Sequence, residues 1–376
     1  MLKSKMTTSV EFTPLFSTFE IVSEDGTTVP TSSFAAEAPA ALPSRPGMFS
    51  VFSSSRSKTE VSDHASPAVP VHIKPHHVIG KKELSSPSGL ALYSTAATST
   101  LALAVGDEKN NRVVALDLHS GTPLTTVEGN KFHSLTYPRG VAVDEPSGTL
   151  FVAAFAESKV RAYNVGGEAE GGSGGGPLRS STGKDEAKLK YPQACTLVGP
   201  HLFVSDSDHH RIVQFTAADL AFAGAFGSKG EGVGGFKEPR GLCALPSDDD
   251  AVLLVVADHR NDRLVRLRIG SGGAAEWFDT IGSSGSKAGQ LHGPSDVAAS
   301  AHAIYVAEEG NARLQVLSHA GVPMQLISFS SKLKAPPAIR GVCAARGSVC
   351  VVTGDKVRVF EERVQGTVTF SRDSLD

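Results

Sequence analysis

Cysteine is scarce, with four residues in a chain of 376. That number does not make a disulfide framework and suits a reducing compartment. The chain also lacks a strong charge of either sign. Its formal net charge of −3 gives no global drive onto nucleic acid or an anionic membrane, although a local basic patch stays open. No run approaches 18 consecutive apolar residues, which leaves no candidate for a membrane-spanning helix. Met1 to Val22 lacks the apolar core of a secretory signal, and Glu11 and Glu20 argue against an organellar transit peptide. A cytoplasmic monomer with neither a membrane nor a DNA partner is therefore expected. Metal-ligand spacing is missing too. No His-x-His or His-Glu-x-x-His occurs, so His76, His77, His209, His210 and His259 read as solvated turn and edge residues. No metal and no cofactor is expected.

What is there begins with an ordinary globular composition, 40% hydrophobic and 20% charged. Residues 1–70 depart from it. They are rich in Ser, Thr, Pro and Ala, as in Thr31-Ser32-Ser33-Phe34-Ala35-Ala36, and their apolar residues follow no period. Such a segment buries too little surface to offset an ordering entropy of roughly 1–2 kcal/mol per residue. It reads as a disordered arm, open to phosphorylation or partner binding.

From residue 76 a unit recurs. Its clearest copy runs from Pro239-Arg240-Gly241-Leu242-Cys243 through Val255-Val256-Ala257-Asp258 to Arg263-Leu264-Val265. The layout is a Pro-x-Gly turn, an apolar strand, a second apolar strand ending in Asp, a polar turn, and a basic residue opening a third strand. That basic residue falls at 112, 159, 211, 263, 313 and 356. Gly-rich joints such as Phe222 to Gly227 add a fourth strand. A period of about 40–50 residues holding four short strands is the mark of a β-propeller. The expected fold class is all-β: a six-bladed β-propeller of four-stranded blades over residues 71–365, with a tail at 366–376. Ring closure needs one terminus to complete a blade begun at the other, so residues 76–80 are expected as the outer strand of blade six. Residues 166–188 interrupt blade two with a flexible Gly-rich insert. Thr182-Gly183-Lys184-Asp185 is not a phosphate loop, because Leu178 stands where the first glycine is needed and Asp185 where Ser or Thr is needed.

The succession Pro-x-Gly, apolar-Val-Ala-Asp, Asn-x-Arg and Phe226-Gly227-Ser228-Lys229-Gly230 resembles the NHL repeat over residues 76–360. The resemblance implies a six-bladed propeller whose members bind protein or RNA. Some join the propeller to a RING domain of a ubiquitin ligase. All four cysteines here lie within the propeller, so this chain would act as a substrate-recognition subunit in trans. Related six-bladed propellers include lactonases and amidating lyases with a metal in the central channel.

In such a propeller the middle residue of Pro-x-Gly lies near the channel mouth. Those residues are Ser88, Arg139, Gln193, Arg240, Ser295 and Arg340. Three arginines on alternate blades form a planar set of donors suited to carboxylate or phosphate, and would repel one another unless an anion or local acids compensated. The alternative is that each lies flat as a structural residue. Asp107, Asp206, Asp258 and Glu308 each precede an arginine by five residues and read as exposed turn-stabilising pairs, worth under about 1 kcal/mol each. A two-residue turn at Arg346-Gly347 would set Cys343 opposite Cys350, either as packed thiols or as a redox pair. Cys195 and Cys243 read as core.

The leading expectation is a non-enzymatic interaction scaffold whose mouth binds an acidic or phosphorylated protein segment. RNA is a second possibility, weakened because Phe155 and Tyr137 are the few aromatics near the mouth. A channel enzyme is the alternative from another class. The inner strands Leu90-Ala91-Leu92, Val141-Ala142-Val143 and Val297-Ala298-Ala299 offer it few ligands.

Overall fold

The computed structural model describes residues 21–22, 28–29, 71–81, 83–94, 100–129, 133–165, 177–181, 185–246, 251–329 and 337–364. They form a six-bladed β-propeller. Blade one comprises Pro87–Ser94, Leu101–Asp107, Arg112–Asp117 and Pro123–Glu128. Blade four, the most regular, comprises Pro239–Pro246, Val252–Asp258, Arg263–Ile269 and Ala275–Ile281. In blades one to five the four blade strands run antiparallel in sequence order from the axis outward, and in blade six the first three do so. The innermost strands pack against each other around the full ring, blade six returning to blade one. Apolar residues of facing blades fill the wedges between sheets: Val255 and Ala257 of blade four meet Val297, Ile304 and Val306 of blade five.

Blade six is closed by the N-terminal side of the chain. Val71–Ile79 pairs with Lys356–Val364, the last described strand. The expectation of 76–80 had the right position but missed the length. His72 and Lys74 break the apolar pattern, yet Val71 and Ile73 point into the wedge between blades five and six and are buried.

Two differences from the sequence reading concern outer strands. Arg179–Ser180 pairs with the third strand of blade two, so the fourth strand of that blade lies inside the segment read as a flexible insert. The rest of that loop, residues 166–176 and 182–184, lies outside the described residues, as does the 366–376 tail. Within residues 1–70, Ile21–Val22 and Thr28–Val29 form two short strands, the first lying parallel to Pro323–Ser328 on the outer edge of blade five. The remainder of the expected arm lies outside the described residues.

The Pro-x-Gly element is not a turn. In all six blades the inner strand gains one residue on its neighbour there: Pro239 faces Asp258 while Leu242 faces Val256. The same offset occurs at Pro87, Pro138, Pro192, Pro294 and Ile339. This is a β-bulge, which re-aims a side chain out of the alternating pattern. The glycine is needed because the inner strands converge at the axis. A Cβ on Gly89 would sit 2.1 Å from the Arg139 carbonyl oxygen, and one on Gly341 2.0 Å from that of Ser88.

Candidate functional site

In four of the six blades the acidic residue ending the second strand holds the bulge in place. Asp258 is fully buried. It accepts the Lys237 backbone N–H at 2.7 Å, the Asn261 amide at 2.7 Å and the Arg263 guanidinium at 2.9 Å. One carboxylate thereby ties the second strand, the polar turn, the third strand and the loop entering the inner strand. Asp107 repeats the pattern with Ser85, Asn110 and Arg112, and Asp206 with Lys190, His209 and Arg211. Glu308 does so with His292, Asn311 and Arg313. These carboxylates are therefore not exposed turn residues. All four are wholly buried, and burial pushes the carboxyls of Asp258 and Glu308 up despite their arginines.

With the bulges fixed, the x residues converge. Ser88, Arg139, Gln193, Arg240, Ser295 and Arg340 all line one cavity of about 330 Å³ at the channel mouth. Glu108, Lys109 and Glu309, from the turns between second and third strands, complete its rim. The six divide by what they touch. The Ser88 hydroxyl is buried within 3.3–3.4 Å of the carbonyl oxygens of Gly106, Pro138 and Arg139, bridging blades one and two. Ser295 donates to the Ile339 carbonyl at 2.7 Å and lies 3.1 Å from that of Ala307, bridging blades five and six. Both serines fasten blade to blade and present little to a ligand.

The arginines are compensated unequally. Arg139 donates to Glu108 from Nε at 3.0 Å and Nη2 at 2.8 Å, and from Nη1 to Gln193 at 2.7 Å. Its guanidinium lies 3.7 Å from the centroid of the Phe155 ring. Arg240 donates to Glu309 at 2.9 Å. Nearby His259 and then Arg240 hold the Glu309 pKa down at about 2. Arg340 is exposed and donates to the Ser86 hydroxyl. Among the described residues it is the arginine of the three with no carboxylate partner, and the rim ammonium of Lys109 has none either.

Two further residues belong to this site and were missed in the sequence. Tyr191 stacks on Phe155 with ring centroids 4.8 Å apart, giving a Tyr191–Phe155–Arg139 pile on one side of the mouth. Tyr191 precedes Pro192 as Tyr137 precedes Pro138, a signal the sequence did carry. Asp296 stands where four blades have glycine and blade three has Ala194, and it too lines the cavity. Its two oxygens accept the N–H groups of Val297 and Val342, each at 2.9 Å. Its surface is partly open to the cavity, but packed protein around it desolvates the carboxyl and pushes its pKa up to about 7.

Cys343 faces Cys350 across the hairpin, in the expected register. Both are free, buried thiols, as are Cys195 and Cys243. Among the described residues no group of three or more His, Cys, Asp or Glu side chains is arranged to hold a metal ion.

No family model matches the chain, and no curated protein matches it in sequence. Solved structures do match in fold. One titled a putative gluconolactonase aligns with a TM-score of 0.54 at 14% identity, covering 79% of this chain and 94% of that one. Virginiamycin B lyase from Staphylococcus aureus aligns at 0.49 and 12% identity, covering 77% and 99%. A chain of a nidogen/laminin complex aligns at 0.45 and 14%, covering 71% and 86%. At such identities the likeness shows the six-bladed fold alone.

Proposed function

We propose that this protein is an NHL-type propeller working as a non-enzymatic recognition module, whose channel mouth binds an acidic or phosphorylated protein segment. One observation carries the reading: all six bulge residues converge on one cavity in which, among the described residues, Arg340 and Lys109 have no carboxylate partner. An anion docking there meets two cations whose charge no carboxylate offsets, while Arg139 and Arg240 are held by Glu108 and Glu309 as pre-oriented donors. A charge-assisted bond shielded from water is worth about 1.5–3 kcal/mol, so two such contacts support a specific, reversible complex. Recruitment of a substrate to a ubiquitin ligase acting in trans is one setting that such a module suits.

RNA is the second reading, favoured by Tyr191 and Tyr137, two exposed aromatic residues at the mouth. Against it, Phe155 already has Arg139 on its ring and Tyr191 stacked against it. A channel enzyme would draw on Asp296, but a metal-dependent reaction needs more ligands than that one carboxyl.

Selecting random dodecapeptides on the full-length chain and on its Arg340→Glu variant tests the reading. Peptides enriched in Asp, Glu or phosphoserine are expected on the wild type, with capture lowered at least tenfold by the variant. Equal capture by both proteins removes the mouth as the site. Displacement of the selected peptides by single-stranded RNA, but not by free glutamate, moves the reading to RNA.

A further inference from the structure

Asp296 stands out within the cavity. A carboxyl at this bulge fits only because Gly241 of blade four has no side chain: a Cβ there would lie 2.1 Å from Asp296 Oδ1. Each oxygen accepts one backbone N–H, from Val297 of its own strand and Val342 of blade six. An ionised carboxylate has about four acceptor sites, so about half of them stay open toward the cavity. The charged groups around it are already committed. Arg240, on the inner strand of blade four, is bonded to Glu309. Arg340, on that of blade six, is bonded to Ser86. Glu308, on the second strand of blade five, is bonded to Arg313. Cys243 and Cys343, from blades four and six, are neutral buried thiols whose pKa values are pushed up, Asp296 itself contributing. No cation among the described residues pairs with Asp296. A carboxylate so enclosed is costly to ionise unless a positive group arrives to share the site.

We infer that Asp296 is an ammonium subsite at the floor of the mouth, so that the ligand carries a primary amine down the axis while its flanking acidic groups meet the arginine rim. The inference rests on the recognition reading above and sharpens it. The ligand class is an alkylammonium flanked by carboxylates, taken either from a lysine side chain or from a chain N-terminus. The burial that raises the carboxyl to about 7 makes the subsite pH-dependent. An ammonium ligand favours the ionised form, so the advantage of a lysine amine, protonated throughout, grows as pH rises from 6 to 8, whereas an α-amine, with an ordinary pKa of about 8, loses part of its charge over the same range. A ligand that used Asp296 as a neutral hydrogen-bond donor would show the opposite trend.

Calorimetric titration of the full-length chain with three synthetic peptides tests this. The first is an N-acetylated glutamate-rich peptide with one central lysine. The second replaces that lysine by norleucine. The third keeps the norleucine and frees the N-terminus. The lysine or the free-amine peptide is expected to bind at least tenfold more tightly than the acetylated norleucine peptide, and whichever does so identifies the source of the amine. For the lysine peptide the ratio should increase between pH 6 and 8. Asp296→Gly, which restores the residue that four other blades use, and Asp296→Asn should both erase the ratio while the acetylated norleucine peptide still binds. Equal binding of the three peptides to wild type overturns the ammonium subsite and leaves the arginine rim standing. A preference for the lysine peptide that falls with pH overturns it in favour of a neutral carboxyl donor. Absence of binding by every peptide overturns the subsite together with the recognition reading.

Discussion

Asp258 has a different energetic standing from a surface carboxylate. It spends its acceptor capacity on the Lys237 N–H, Asn261 and Arg263 while fully buried. Removing it strands the Arg263 guanidinium in a half-enclosed site and leaves the Lys237 N–H unpaired. Loss of one partner of a buried pair costs about 3–5 kcal/mol. Asp258→Ala is therefore expected to destabilise by about that amount. Glu145→Ala, which breaks the exposed pair with Arg346 at 2.8 Å, is expected to cost under about 1 kcal/mol. Urea unfolding of both variants measures the contrast, and equal midpoints would remove the structural role assigned to the buried carboxylates. The same accounting applies to the mouth. Arg139 lies under Phe155 and is bonded to Glu108 and Gln193, so its replacement disturbs stability as well as binding. Arg340 is the position where binding can be changed most cleanly.

At the scale of the strand, the hairpin Ile339–Ala345 to Ser348–Thr353 turns on Arg346 and Gly347, both with positive φ, 52° and 75°. Two such residues make the type I′ turn that matches strand twist, and the turn fixes Cys343 opposite Cys350. Ala345 and Ser348 flank the turn, so the cysteines fall two pairs further in and are packed between blades six and one. Burial pushes the thiols of Cys195, Cys243 and Cys343 up, that of Cys195 to about 12. Thiolate is the reactive form. The native chain is thus expected to show almost no reaction with an aromatic disulfide reagent at pH 8. All four thiols should react once guanidinium unfolds it. Rapid labelling of a pair in the folded protein would instead mark Cys343 and Cys350 as accessible to redox chemistry.

At the scale of the molecule, stability depends on closing the ring. Val71–Ile79 supplies the outer strand of blade six and buries Val71, Ile73 and Ile79. Deleting residues 1–80 removes that strand and leaves the third strand of blade six as a long unpaired edge. That chain is expected to aggregate or to melt far below the full-length protein. Deleting residues 1–70 is expected to keep a single cooperative transition near the wild-type temperature. Thermal scans of the two truncations test whether ring closure resides in residues 71–79.

The number of blades, their strand order and the convergence of the Pro-x-Gly residues on the mouth were legible in the chain. Each repeats six times, and a repeat turns a weak local pattern into a strong one. The closing strand was legible because a ring leaves one blade incomplete at each end. The bulge was not legible: Pro-x-Gly reads locally as a turn, and only the crowding of six inner strands at the axis explains the glycine. The burial of Asp107, Asp206, Asp258 and Glu308 was hidden for a similar reason, since a polar residue beside a polar turn looks solvated until the neighbouring loop folds over it. Asp296 passed unnoticed because its chemistry comes from its surroundings. The sequence by itself determined that the six middle residues of the Pro-x-Gly elements meet at the mouth. Only the tertiary structure decided which of them are already paired and which still face a ligand, because pairing depends on distances between blades that lie some 50 residues apart in the chain.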